Sequence, residues 1–161
     1  LVVDPVMIST SGALLLKREA VYALKDLIRR AHLATPNLHE AEHLLERRIP
    51  DVQSLRDAAR EIHERFGCAA LLKGGHLTGV KSAIDFYYDG STELMLESPF
   101  VRGISTHGTG CTYSAAIAAF CARGFLIPDA VARAKEFITN SIARSYKTAG
   151  VFALNPLWQA R

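Results

Sequence analysis

"DVQSLRDAAREIHERFGCAALLKGGH", residues 51–76, carries two hydrophobic periods in succession. From Asp51 to Phe66 the residues Val52, Leu55, Ala59, Ile62 and Phe66 recur at spacings of three and four, which predicts a helix with one buried stripe. "CAALLKGGH", residues 68–76, then runs apolar until Gly74 and Gly75 stop it, the pattern of a buried strand. A helix feeding a buried strand is the unit of an α/β fold with a mainly parallel sheet.

The flanking sequence repeats the alternation. "LVV" (1–3) is a short strand ending at Asp4-Pro5. Residues 19–32 place Val21, Leu24, Leu27, Ile28 and Ala31 on one helical face, and "HLATPN" (32–37) is a short strand closed by Pro36. A helix is expected over 37–47. "SAIDFYYD" and "TELMLES" predict a hairpin about Asp89-Gly90, followed by helices over 109–123 and 127–147, the last with Ile127, Val131, Ala134, Ile138 and Ile142 on one face. Open α/β sheets bind ligands outside the carboxyl ends of their strands. The loops of interest therefore follow Val3, Thr35 and Lys73 and precede Thr109.

The length of 161 residues fits one domain over 1–161. The chain is 49% hydrophobic and 22% charged, with no apolar run near the ~20 residues of a membrane span, so no membrane partner is expected. The net charge of +3 is spread along the sequence, and a chain without a basic block does not imply nucleic acid. Cys68, Cys111 and Cys121 are odd in number and form no C-x-x-C pair, and the visible start carries no secretory signal, which points to a reducing, cytoplasmic setting. "LVVDPV" lacks an initiator Met and reads as a buried strand, so the chain is expected to begin inside a larger fold.

Four stretches carry candidate chemistry, each with a plainer reading beside it. In "HGTGC", Gly108 and Gly110 let amides approach an anion at a helix N-terminus, or simply start a helix. Cys111 in that first turn is a candidate base or nucleophile, or a small hydrophobe. Asn37 with Glu40 is a capping signature, and the same carboxylate suits Mg²⁺. Asp4 and Lys73 end strands where a metal or phosphate partner belongs, or else lie in ordinary turns. His39-Glu40-Ala41-Glu42-His43 also has the H-E-x-x-H form of a zinc hydrolase, with Glu64 as the nearest third ligand.

Taken in order, "DPVM" (4–7), Ser11-Gly12, "TPNLHEAE" (35–42), "LLKGGH" (71–76) and "THGTGCTYSAAIAA" (106–119) resemble the hydroxymethylpyrimidine/phosphomethylpyrimidine kinases of thiamine biosynthesis, which have a ribokinase-like three-layer fold. The resemblance implies ATP- and Mg²⁺-dependent phosphorylation of 4-amino-5-hydroxymethyl-2-methylpyrimidine and then of its monophosphate. Cys111 would hold the position of the catalytic base, with the amides of Gly108, Thr109 and Gly110 as the anion hole. Glu40 and Asp4 would sit at the metal, and Asn37, Lys73 and Thr106 at the nucleotide phosphates. H-E-x-x-H is then incidental. Homodimers are common in that family.

Two departures accompany the likeness. The family's "G-x-D-x-S-G-G-A-G" segment, which supplies much of the pyrimidine pocket, has no counterpart before Leu1, and the end reads "AGVFALNPLWQAR" in place of a glycine-rich tail. The expectation is a carboxyl-terminal, nucleotide-binding portion of such a kinase. The alternatives are a non-catalytic nucleotide-binding piece and a pyridoxal-type kinase of the same fold.

Overall fold

The structure, a computed structural model, describes residues 1–8, 15–101 and 108–158. Ser11, Gly12 and Thr106 lie outside the described residues. In chain order the elements are β1 (Val2–Val3), α1 (Arg18–Ile28), β2 (Leu33–Ala34), α2 (Leu38–Leu45), α3 (Val52–Phe66), β3 (Ala69–Lys73), β4 (Ser82–Tyr88), β5 (Glu93–Pro99), α4 (Thr109–Ala122), α5 (Ile127–Ala143), β6 (Tyr146–Thr148) and β7 (Val151–Ala153). They fall into two compact units, Leu1–Glu97 and Ser98–Arg161.

In the first unit a five-stranded sheet has the order β1-β2-β3-β4-β5. β1, β2 and β3 run parallel, with Val2 opposite Leu33 and Leu33 opposite Ala69. The predicted hairpin supplies the other edge: β4 is antiparallel to β3, Lys73 opposite Asp85, and β5 returns beside β4. The α/β fold read from the sequence is the one found.

α3 forms where the stripe predicts. Asp51 caps it by accepting the Ser54 amide at 2.7 Å, and Ser54 Oγ accepts the Asp51 amide at 3.0 Å. Gly67, at φ 73°, ends it. Leu55, Ala58, Ala59 and Ile62 are fully buried and join Ala70 and Leu72 of β3 in one core, where truncating a side chain such as Ile62 to alanine costs about 2–5 kcal/mol. The polar edge of α3 ties down the hairpin, because Glu93 takes Arg60 Nη2 at 2.6 Å and also pairs with Arg56. Asp89 organises the β4–β5 turn, accepting the Thr92 amide at 2.6 Å, the Ser91 amide at 2.9 Å and the Tyr87 hydroxyl at 2.9 Å. Burial opposes the charge, but these hydrogen bonds outweigh it and hold the carboxyl at a pKa of about 2.

In the second unit α4 and α5 pack together, and Tyr113 and Ile117 of α4 and Val131, Ala134 and Ile138 of α5 are buried. Here the structure corrects the sequence reading: α5 stops at Ala143 rather than 147, and β6 and β7 follow as a two-stranded hairpin. Ala149 and Gly150 both take left-handed φ, 47° and 85°, as a two-residue hairpin turn requires. The Asn155 amide donates to Ser141 O at 3.2 Å, which brings the tail back to the last turn of α5. Among the described residues no helix is long and apolar enough to cross a membrane.

Candidate functional site

The three parallel strands bring Asp4, Thr35 and Lys73 together at their carboxyl ends. Lys73 Nζ donates to Asp4 Oδ1 at 2.8 Å, and Thr35 Oγ1 donates to the same oxygen at 3.1 Å. The ion pair is largely withdrawn from water, with side-chain exposures of 11% and 16%. Desolvated charges of this kind attract strongly, and removing one partner strands the other. The Lys73 amide also donates to Pro36 O at 2.9 Å, and Asn37 and Lys73 form a parallel bridge, so the end of β3 is stitched to the start of α2.

That start is the capping box the sequence announces. Asn37 Oδ1 accepts the Glu40 amide at 3.0 Å, and Glu40 Oε2 accepts the Asn37 amide at 2.8 Å. Capping does not exhaust Glu40, which is only 2% exposed. Burial, aided by the Asp4 charge, pushes its pKa from 4.5 up to about 7, against the pull of the Asn37 and Met7 amides and the Lys73 ammonium. The first unit thus holds two carboxylates, Asp4 and Glu40, beside one buried ammonium. His76 is neighbour to this group. Burial lowers its pKa, with further help from His39 and Lys73, and its ring stacks on that of His39 with centroids 5.5 Å apart.

Two residues the sequence pattern does not single out complete the arrangement. Thr35 is one, through its hydroxyl on Asp4. Asp85 is the other: it is 4% exposed and accepts the Gly74 amide at 3.0 Å. A lone acid inside the otherwise apolar "SAIDFYY" is the signal that marks it. Gly74 itself answers to packing rather than to a ligand, since a Cβ there would stand 2.3 Å from Ile84 O, whereas a Cβ on Gly75 would meet nothing within 4 Å.

In the second unit Gly108 is the N-cap of α4 with φ 79°, a left-handed conformation that favours glycine although the space around it is open. The first bond of the helical ladder runs from the Thr112 amide to Gly108 O at 2.9 Å, so the amides of Thr109, Gly110 and Cys111 stand ahead of that ladder at the positive end of the helix dipole. No acidic residue occupies this first turn. Cys111 is exposed there, whereas Cys68 is buried and its thiol pKa is raised by that burial. Ser114 Oγ donates to Gly110 O at 3.0 Å and firms the turn.

The zinc reading fares otherwise. His39 and His43 line an open cleft of about 510 Å³ on the outside of α2, but Glu40 is buried in its cap. Glu42 is taken up by the Ile49 amide at 2.9 Å and by Arg48 at 3.2 Å, and Glu64 is exposed on α3. Among the described residues no group of three His, Cys, Asp or Glu side chains could hold a metal ion. Two hard carboxylates, by contrast, match what Mg²⁺ takes from a protein when nucleotide phosphates and water supply the remaining ligands.

The residue pattern has close counterparts. The Phosphomethylpyrimidine kinase family matches residues 1–154. The thiamine biosynthesis bifunctional protein ThiED of Geobacter sulfurreducens is 46% identical over 142 residues, covering 88% of this chain and 29% of that protein. A hydroxymethylpyrimidine/phosphomethylpyrimidine kinase of Streptomyces coelicolor is 41% identical over 150 residues, covering 92% of this chain and 55% of the kinase. The crystal structure of Bacillus subtilis pyridoxal kinase in complex with ADP superposes with a TM-score of 0.86 at 36% identity, over 97% of this chain and 60% of that one. This chain therefore spans about half the length, or less, of the curated relatives it matches. The fold is the ribokinase-like one of these kinases, and the chain belongs to the phosphomethylpyrimidine kinase family.

Proposed function

We propose that this chain carries the metal- and phosphate-binding part of a kinase that transfers the γ-phosphoryl group of ATP to 4-amino-5-hydroxymethyl-2-methylpyrimidine and then to its monophosphate. The observation that carries the reading is the pairing of half-buried Asp4 with buried Lys73 at the carboxyl ends of the parallel strands, where such folds bind ligands, with Glu40 buried in the first turn of α2 and coupled to both charges. Family membership and the kinase relatives support it further.

Each residue has a chemical task under this reading. Asp4 and Glu40 would hold Mg²⁺. When bound, that ion would neutralise phosphate charge. Lys73 would face the phosphates as a point charge, with Asn37 setting the cap that orients Glu40, and Thr106 beside the phosphates. In the second unit the amides of Gly108, Thr109 and Gly110 would receive the oxygens of the transferring group, and Cys111 Sγ as thiolate would accept the proton of the substrate hydroxyl. The new bond joins that hydroxyl oxygen to the γ-phosphorus, the bond from the γ-phosphorus to the bridging oxygen breaks, and ADP leaves. The second transfer uses a phosphate oxygen of the monophosphate as nucleophile.

A second reading exchanges the alcohol. The pyridoxal kinase likeness favours a pyridoxal-type hydroxymethyl group on the same phosphoryl-transfer machinery. The test of both is ADP release by the purified chain with ATP and Mg²⁺, comparing hydroxymethylpyrimidine with pyridoxal. Release with the pyrimidine alone supports the first reading, and release with pyridoxal alone replaces it by the second. Nucleotide-dependent thermal stabilisation without turnover of either alcohol would reduce the chain to a nucleotide-binding module.

A further inference from the structure

Asp85 is a buried acid whose position coincides with the one buried lysine of the candidate site. Across the β3–β4 ladder it stands directly opposite Lys73, so the two side chains share one face of the sheet. Its Oδ1 accepts the Gly74 amide in the first position past β3, at 3.0 Å, from a site only 4% exposed. The backbone has no slack at this point. Gly74 lies so close to Ile84 O and Leu55 that no Cβ fits, and the Leu77 amide closes onto Gly74 O at 2.9 Å. On the other side the Lys73 amide is bonded to Pro36 O. Lys73 is thus fixed from both neighbours, and the direction in which its long side chain leaves the sheet follows from that.

We propose that Asp85 is a positioning residue of this site: by clamping the Gly74 amide it fixes the end of β3, so that the Lys73 ammonium is delivered to Asp4. The functional meaning of that delivery rests on the reading of Lys73 as a phosphate contact, whereas the positioning claim does not. A buried side-chain oxygen that accepts a backbone amide holds a strand end, because leaving that amide unpaired away from water is costly. Asparagine at this position keeps an oxygen for the amide, and alanine does not.

The experiment reads Lys73 itself in nucleotide-free protein. Acylation of each lysine by a small amine-reactive ester is followed by peptide mass spectrometry, with the exposed Lys147 as internal reference. Asp4→Asn calibrates the signal of a released Lys73. The proposal expects Asp85→Ala to raise Lys73 acylation relative to Lys147 by about tenfold, as local opening of a protected group would. It expects Asp85→Asn to stay within about threefold of wild type, since the amide contact is kept. A loss of general stability would also raise acylation of the buried Lys135 relative to Lys147, not of Lys73 alone. Wild-type protection of Lys73 in Asp85→Ala overturns the proposal. So does an Asp85→Asn protein whose Lys73 is as reactive as in Asp4→Asn, and that comparison stands even if Asp85→Ala does not fold. Because no nucleotide is present, failure here and failure of the kinase reading are separate results.

Discussion

Lys73 Nζ and Asp4 Oδ1 are 2.8 Å apart although their residues are separated by 69 positions in the chain. The contact exists because β1, β2 and β3 run parallel: Asp4 follows the end of β1, β3 runs on past that level to Lys73, and the two side chains meet in a poorly solvated place. Breaking such a pair from one side leaves the other charge uncompensated. Lys73→Met and Asp4→Asn are each expected to destabilise by about 3 kcal/mol, and the double variant by less than their sum. Denaturant unfolding of the four proteins measures this, and additive losses would mean that the two groups are not coupled.

Glu40 makes stability depend on pH. Its folded pKa is raised, so the favourable contribution of the protonated form is fully present below 4.5 and is lost as pH rises through about 7. The shift corresponds to about 3 kcal/mol across that window. Glu40→Gln keeps an oxygen for the Asn37 amide but cannot ionise. The wild type should lose this stability between mildly acidic and neutral pH and the variant should not; parallel curves would show that burial does not govern Glu40.

Three glycines separate packing from conformation. Gly74→Ala places a Cβ against a backbone carbonyl and is expected to cost about 3 kcal/mol. At Gly75 the added methyl meets open space at an ordinary φ, so the change is expected to be within about 0.5 kcal/mol of neutral. Gly108→Ala finds room but a φ of 79°, and about 1–2 kcal/mol is the expected loss. Thermal melts rank the three, and an order other than Gly74, Gly108, Gly75 would contradict the backbone assigned here.

Local signals in the sequence were sufficient where neighbours along the chain decide the structure. The Leu55, Ala59 and Ile62 stripe and the Asn37–Glu40 box are both set by contacts within a turn or two, and both form as read. The β6–β7 hairpin is not legible because Ala149 carries no turn signal and the period of α5 continues through Ile142; the returning tail, whose Asn155 amide takes Ser141 O, is a contact that spacing along the chain does not reveal. Asp85 escaped because its importance lies in strand register, which places it opposite Lys73. The residues Asp4, Glu40 and Lys73 were legible one by one, but their union in the first unit depends on sheet order. The pKa of Glu40 depends on burial that no spacing reveals.

The most direct measurement is Mg²⁺-dependent ADP release by the purified chain with and without hydroxymethylpyrimidine, beside Cys111→Ala, with ATP affinity measured on both proteins. The account predicts pyrimidine-dependent release that falls by at least about 10²-fold in the variant, as loss of a general base does, while ATP affinity changes by no more than about threefold. Turnover that survives in Cys111→Ala, or ATP affinity that falls in step with turnover, would contradict the assignment of Cys111 as the base.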